Sequence, residues 1–514
     1  MKTFNISRLP LAALTLCLAT MVAPGCGAAG YDGDSGGPGE GAGLGQGGAQ
    51  DFGLFRQILE AGELPNPNTL DDVGFFNEHK LELPAPDCGE EVCLHGLYGR
   101  MDNMINGSDC TTVLLGMNTP VDPDELERPP LNLALAIDTS GSMQGANMNA
   151  TREGLTRMLS ALEPGDQVSL ITFDNNAVVR TDALAGNDPE LVTAINELTP
   201  DGSTNIYAGL RAAFEQVALH QDPTHQNRVI LLSDGMATAG ITADDKILGL
   251  ASAFSSEGIG LTTIGMGTDF DVTLMRDLSE LGSGSFYFVE DPLAVQEIFV
   301  DEVEAFLVPL AEEIRIDIDT SADYQVRGVY GTKQADFSSH SGTIEIPSLH
   351  IAHRKSASDQ EGGRRGGGGG IIVELLKSPT APGNGTEVGH LTLDYRKPGT
   401  EEIVHQEIAI DSPYGFDNPN EFFDNLTAEK SFVTLNIFVG FQLAAQRASS
   451  GDLTGALNVL DGLATNVRGW LTNNPDADIE DDLRYIDMFR QNLVSHGALE
   501  PAPGQAQPEP WPQD

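Results

Sequence analysis

The chain has 514 residues, enough for two to four domains that each bury a core of their own. Its 76 acidic residues outweigh its 28 lysines and arginines, so the formal net charge is −48. Because contact with a phosphate backbone needs a cationic surface, this charge argues against nucleic acid as a partner. A strongly acidic surface also attracts divalent cations, although a solvated surface is the simpler interpretation.

An export signal is predicted at the N-terminus. Residues 1–25 combine basic residues with an apolar run that is too short for a membrane span. The sequence APGC at 23–26 resembles the bacterial lipoprotein signal, which implies a lipid on Cys26. We therefore expect a protein of the bacterial cell envelope that is held at the outer membrane by its lipid anchor alone. Cleavage nearby without acylation, giving a secreted protein, is the alternative.

Three cysteines follow Cys26, namely Cys88, Cys93 and Cys110. In an oxidising compartment they predict one disulfide and one free thiol, and both Cys88–Cys93 and Cys88–Cys110 are plausible pairs. Zinc binding is disfavoured because the spacing lacks a second CxxC.

Composition divides the N-terminal part of the mature chain in two. Residues 26–50 are rich in glycine and poor in apolar side chains, which predicts an unstructured tether. Residues 51–128 form a separate N-terminal region, with helical spacing at 54–59 and strand-like alternation at 92–118.

Strand-like and helical segments alternate across residues 129–308. Strands are predicted at 131–138, 167–173, 227–235, 260–267 and 285–290, and helices at 205–218, 243–255, 272–281 and 293–307, with one more between the first two strands. This alternation predicts an α/β fold of the Rossmann-like type, a doubly wound and mostly parallel sheet with helices on both faces. The segments 143–149 and 174–187 are expected to be variable loops.

The C-terminal third changes period. Separate strand-like runs at 309–412 predict a small antiparallel β-sandwich, with a long hairpin loop at 356–370. Residues 413–499 predict a small helical unit, with helices at 427–447, 452–466 and 479–495. A Pro-rich tail at 500–514 follows.

Five oxygen-bearing side chains follow strands or open helices of the predicted parallel sheet. They are Asp138, Ser140, Ser142, Thr204 and Asp234. Because loops at the carboxyl ends of parallel strands share one edge, these groups are expected to converge. Hard oxygen donors of this kind suit Mg²⁺, with Ca²⁺ or Mn²⁺ as substitutes. Two carboxylates and three neutral hydroxyls leave a coordination position for water or an incoming carboxylate.

The order Asp-x-Ser-x-Ser, then Thr, then Asp-Gly resembles the metal-ion-dependent adhesion site of von Willebrand factor A domains. The resemblance implies that both serines and the threonine or one aspartate bind the metal directly, while the remaining acid acts through water. A glutamate or aspartate of a protein partner then completes the octahedron. The flanking sequences LEAGELPNPNTL and VRGVYG are similar to bacterial lipoproteins that carry such a domain. Asp201 departs from the pattern, because that group commonly has glycine there.

The sequence favours a binding protein over an enzyme. The segment TSGSM is not the GxSxG of a hydrolase, and no histidine is placed to act as a base for Ser140 or Ser142. Two alternatives remain open: a metal-dependent hydrolase of the envelope, and an assembly factor in which the metal is only structural.

Overall fold

The computed structural model describes residues 42–50, 52–122, 128–267, 270–289, 298–299, 309–351, 368–416 and 421–499. Its helices are α1 (Gly53–Glu60), α2 (Asp72–Asn77), α3 (Ala146–Met158), α4 (Pro189–Asn196), α5 (Ile206–Leu219), α6 (Asp244–Ser255), α7 (Val272–Leu281), α8 (Leu426–Ser449), α9 (Leu453–Leu471) and α10 (Ala477–Ser495). Its first ten strands are β1 (Ala42–Gln46), β2 (Gly48–Ala49), β3 (Cys93–Asp102), β4 (Asp109–Thr119), β5 (Leu131–Asp138), β6 (Gln167–Phe173), β7 (Ala177–Ala185), β8 (Gln226–Ser233), β9 (Gly260–Met266) and β10 (Ser285–Val289). The remaining strands are β11 (Pro309–Thr320), β12 (Tyr324–Tyr330), β13 (Ala335–Phe337), β14 (Ser341–Ile351), β15 (Ile371–Lys377), β16 (Glu387–Arg396), β17 (Ile403–Asp411) and β18 (Phe422–Phe423).

The central sheet has the order β2-β10-β9-β8-β5-β6-β7, and its strands are parallel except for β7. Strand β5 is buried along its whole length because helices cover both faces of the sheet. Its leucines at 133 and 135 pack with residues of α3 and α4, and its alanines at 134 and 136 pack with residues of α5, α6 and α7. The predicted doubly wound sheet is confirmed.

The prediction of a loop at 174–187 is wrong, because most of this segment is the strand β7. It pairs with β6 in antiparallel orientation, with two register shifts, and it forms an edge of the sheet. Several side chains of an edge strand face solvent, as Val178 and Val179 do here, so the segment lacks the buried apolar run of its neighbours.

The predicted antiparallel sandwich is present, but it draws on two distant parts of the chain. Strands β3 and β4 of the N-terminal region join β11–β18 in one antiparallel sheet of eleven strands that also contains β1. The two halves of this sheet fold onto each other. Between them, the Leu94 amide donates to Gln406 Oε1 (3.3 Å), and Gln406 Nε2 donates to the Val92 carbonyl (2.6 Å).

The tether prediction is wrong for residues 42–50. Strand β1 lies between β4 and β14, and β2 adds to the edge of the central sheet beside β10. Leu44 is fully buried in the sandwich core. Composition alone misses these strands because glycine provides no apolar side chain, while its backbone still forms sheet hydrogen bonds.

The three C-terminal helices match the predicted helical unit, within a few residues at their ends, and pack against α1 and α2. Phe55 of α1 lies 4.7 Å from Phe441 of α8, between ring centroids. Asn492 of α10 donates to the Leu59 carbonyl (2.8 Å). The helical core is therefore built from both ends of the chain.

No helix in the described parts of the chain is both long and apolar enough to cross a membrane. The signal and anchor at 1–26, the tail at 500–514 and nearly all of the predicted loop 356–370 lie outside the described residues. So does the predicted helix 293–307, except for Ile298 and Phe299.

Candidate metal centre

The first part of the site is the loop that follows β5. Asp138 is the last residue of this strand and is fully buried. The Ser140 amide donates to Asp138 Oδ1 (2.8 Å), which folds the chain back over the carboxylate. A single 3-10 turn at Gly141–Met143 then leads to α3. This turn places the Ser140 and Ser142 hydroxyls 3.0 Å apart.

The second part is the loop before α5. Gly202 has φ +81°, a conformation that side chains other than glycine rarely adopt, and its carbonyl accepts from the Gly141 amide (3.1 Å). The Thr204 amide donates to Thr238 Oγ1 (3.0 Å), and the Thr238 amide donates to the Thr204 carbonyl (2.9 Å). Asn205 then caps α5 by accepting from an amide of its first turn. These bonds hold Thr204 against the first loop.

The third part follows β8. Ser233 Oγ donates to Asp138 Oδ2 (2.5 Å), and Ser142 Oγ donates to Asp234 Oδ1 (2.7 Å). Asn147, near the start of α3, donates its amide to Asp234 Oδ2 (2.9 Å). Each carboxylate is therefore fixed at both oxygens by neutral donors.

The three loops meet around Gly235. A Cβ built on this glycine would lie 3.3 Å from Thr204 Oγ1 and 3.7 Å from Ser142 Oγ. Through the bonds of Ser142 to Ser140 and Asp234, all five predicted ligands belong to one cluster. The structure thus brings together every residue that the sequence places at the site.

The donor set fits a divalent cation. Burial raises the pKa of Asp138 to about 6, and the nearby charge of Asp234 adds to this, while hydrogen bonds from Ser233 and Ser140 oppose it. Among the described residues, no lysine, arginine or histidine forms an ion pair with Asp138 or Asp234. Buried carboxylates without a cationic partner are costly, and a bound divalent ion removes that cost.

Asp201 lies at the rim of this cluster. Its amide donates to the Thr139 carbonyl (2.7 Å), and its exposed carboxylate accepts from the Gly202 amide (2.9 Å). The site contains only two acids, and the described residues contain no group of three or more histidines, cysteines or acids placed to hold a metal.

The predicted sites for cysteine chemistry lie elsewhere. Of the two expected pairings, the structure has the disulfide Cys88–Cys93, at the start of β3. Cys110 is a buried free thiol, and burial together with the charge of Glu374 raises its pKa well above its usual value.

Comparison with known proteins agrees with this architecture. Residues 132–301 match the model of the von Willebrand factor type A domain. These residues form a von Willebrand factor A domain. Domains of this family are general protein-interaction modules, and they commonly bind a divalent metal at the motif found here. The flanking sandwich and helices lie outside the match.

Relatives share mainly this domain. The uncharacterized protein YfbK of Escherichia coli is 26% identical over 38% of this chain and 34% of its own length. Human inter-alpha-trypsin inhibitor heavy chain H2 is 30% identical over 44% of this chain and 24% of its own. The chain thus spans about a third of the first of these relatives and about a quarter of the second. A solved von Willebrand factor type A protein from Catenulispora acidiphila is 14% identical with a TM-score of 0.49, covering 78% of this chain and 96% of that one.

Proposed function

We propose that this is a non-enzymatic, lipid-anchored protein of the bacterial cell envelope that captures a protein partner through a divalent cation. Asp138, Ser140, Ser142, Thr204 and Asp234 hold the ion, with Mg²⁺ as the preferred species. A partner's aspartate or glutamate takes the position that the five oxygen donors leave open.

One observation supports this proposal above the others. The buried Asp138 and the Asp234 carboxylate are oriented entirely by neutral donors, two of which are themselves expected ligands. The bound ion would act as a Lewis acid toward an incoming carboxylate. The proton of Ser142 points to Asp234, so a lone pair of Ser142 remains for the ion.

Calorimetric titration of the folded full-length chain with Mg²⁺, Mn²⁺ and Ca²⁺ tests the metal site. We expect one ion per chain in the wild type and no binding in Asp138→Asn, because a neutral amide in place of the buried carboxylate removes half of the site's negative charge. Asp188→Asn, which keeps the cap of α4 on the same domain, is the matched control and should bind as the wild type does. A correctly folded wild type that gives no heat with any of the three salts contradicts the proposal.

The anchor has its own test. Metabolic labelling with tritiated palmitate in a bacterial host should label the wild type, and Cys26→Ser should abolish the label, whereas Cys17→Ser should leave it unchanged. Label that persists in Cys26→Ser would contradict anchoring at this residue.

A further inference from the structure

A cleft lies between the von Willebrand factor A domain and the sandwich, away from the metal centre. It encloses about 410 Å³, part of which is open to solvent, a volume at the lower end of small-molecule sites. Glu280, Ser283 and Gly284 line it from the domain, and residues 332–334 and 345–348 line it from the sandwich. Gly284 directly precedes β10, which runs parallel to β9, β8 and β5. The cleft is therefore at the amino-terminal edge of the central sheet, whereas the metal centre is at the carboxyl edge.

The carboxylate of Glu280, in the last turn of α7, is the unpaired charge of this cleft. Within the described part of the chain it forms no hydrogen bond and no ion pair. The nearby cations are bonded to other acids, since Arg276 pairs with Asp71 (2.8 Å) and Lys333 pairs with Asp71 and Asp72. Three carboxylates therefore share two cations, and one negative charge remains.

This remaining charge is costly because the carboxylate is half-buried. A Cβ built on Gly48 would lie 4.0 Å from Glu280 Oε1, so the start of β2 covers one side of the group. Burial, followed by the charge of Asp71, raises the pKa of Glu280 to about 7, although Lys333 opposes this shift. A ligand with one positive charge would remove the cost of ionising this group.

The rest of the lining distinguishes between kinds of cation. Val73 and Ile346 present buried apolar side chains to the cleft, and Pro347 adds a third apolar surface. Glu345 also lines the cleft, but it is exposed and pairs with Arg315 (3.4 Å). A divalent ion takes about six to eight oxygen ligands and favours several carboxylates. One free carboxylate beside apolar walls suits instead a single charge on a short hydrocarbon chain.

We propose that this cleft binds a primary alkylammonium group, with the ammonium on the Glu280 carboxylate and the alkyl chain against Val73 and Ile346. An ammonium has three donors, and the hydroxyls of Ser283 and Ser348 are further acceptors in the lining. The ligand would contact the domain and the sandwich together. Free alkyl diamines and the lysine side chain of a protein both carry this group. The site is independent of the proposed metal-dependent function.

Ligand-observed saturation-transfer NMR with n-butylamine tests the proposal. The full-length protein is kept at pH 8 in phosphate buffer with EDTA and about 0.15 M NaCl, so that the amine is charged and its attraction to the acidic surface is screened. We expect a dissociation constant of about 1–10 mM for the wild type. Binding should be weaker by about tenfold or more in Glu280→Gln, and butan-1-ol should bind the wild type more weakly by a similar factor.

The matched control is Glu257→Gln, which removes an exposed carboxylate before β9, at the same edge of the sheet. It should bind n-butylamine as the wild type does. 1,5-Diaminopentane and Nα-acetyl-lysine amide should displace n-butylamine, and the one that acts at the lower concentration distinguishes a free diamine from a lysine side chain.

The proposal is overturned if Glu280→Gln and the wild type bind n-butylamine equally, if butan-1-ol binds as well as the amine, or if neither competitor displaces it. Because EDTA is present throughout, none of these results depends on the metal centre. The calorimetric titration of the metal site stands or fails separately.

Discussion

A buried histidine in the helical core shows how much a single residue contributes away from the metal centre. His79 Nδ1 lies 2.6 Å from the Phe75 carbonyl, and Nε2 lies 2.7 Å from Asp482 Oδ2. Both partners accept hydrogen bonds, so each ring nitrogen of His79 faces a buried acceptor. The pair ties the end of α2 to α10.

Replacing His79 by alanine should therefore destabilise the chain strongly. Losing a buried hydrogen-bond partner costs about 1–3 kcal/mol, and alanine also leaves part of the volume of the imidazole ring empty. Urea unfolding followed by circular dichroism measures the change. His405→Ala is the control, since that ring is 62% exposed beside Asp394 and should alter stability by less than about 0.5 kcal/mol. Equal midpoints for His79→Ala and the wild type would contradict this role.

The residues of the metal centre divide into those that sequence reveals and those that only the fold reveals. The spacing of the serines after Asp138 and the Asp-Gly after β8 identifies the five expected ligands, because each stands at the end of a recognisable strand or the start of a helix. Asn147 carries no such signal, since its bond to Asp234 spans 87 positions and depends on how α3 meets β8. Ser233 directly precedes Asp234 in the sequence, and this position next to an expected ligand is the feature that could have identified it as part of the site.

At the scale of elements, hydrophobic periodicity predicts the helices and strands that bury an apolar face, and it misses the strands that do not. The sequence predicts helix α7 at its observed bounds. It also predicts β5, because a strand that helices cover on both faces carries a continuous apolar run. Strand β2 was missed because it consists of Gly48 and Ala49, and β7 because it lies at an edge. In both cases pairing with a neighbouring strand determines the structure. The local sequence carries no information about that neighbour.

The glycine before β2 gives a test at this scale. A Cβ on Gly47 would lie 2.6 Å from the Gly284 carbonyl oxygen, which accepts the Gly48 amide (2.7 Å). Gly47→Ala should therefore detach β2 from β10 and speed hydrogen exchange at the Gly48 and Gln50 amides by at least about tenfold, a loss of about 1.4 kcal/mol in local stability. Amide exchange followed by mass spectrometry measures it.

The control for that substitution is Gly249→Ala in α6, where a Cβ meets no atom within 4 Å. Alanine there should leave exchange in β2 unchanged and add about 0.5–1 kcal/mol to global stability. Wild-type protection of β2 in Gly47→Ala would show that the close approach to Gly284 does not hold this strand.

At the scale of the whole molecule, a buried ion pair joins the von Willebrand factor A domain to the rest of the chain. Arg276 of α7 pairs with Asp71 at the start of α2 (2.8 Å), and Lys333, after β12, pairs with Asp72 and Asp71. Burial opposes ionisation of Asp71, but Lys333 and Arg276 hold its pKa below its ordinary value. Three parts of the chain meet here. No local pattern could predict this junction, because its members come from positions 71–333.

Glu280 lies near these charges, but the basic residues do not offset the cost of ionising its buried carboxyl group. Burial, followed by the charges of Asp71 and Asp277, raises its pKa from 4.5 to about 7, and Lys333 and Arg276 only partly oppose this. Below pH 4.5 the carboxyl is protonated in the folded and unfolded chain alike, so it does not affect stability. Between pH 4.5 and 7 the unfolded chain releases this proton first, so stability falls as pH rises, and above pH 7 the full penalty remains.

Glu280→Gln should therefore stabilise the chain at pH 8 by about 1–3 kcal/mol, and should leave its stability at pH 4 unchanged, because glutamine keeps the shape of the protonated acid. Urea unfolding at pH 4, 6 and 8 gives the difference curve, which should rise between pH 4.5 and 7 and then level off. Glu257→Gln, at an exposed position after α6, should give a flat curve over the same range. If the free energies of unfolding of Glu280→Gln and the wild type differed by the same amount at all three pH values, Glu280 would have the same pKa in the folded and the unfolded chain. The charges of the junction would then be balanced without a proton on this side chain.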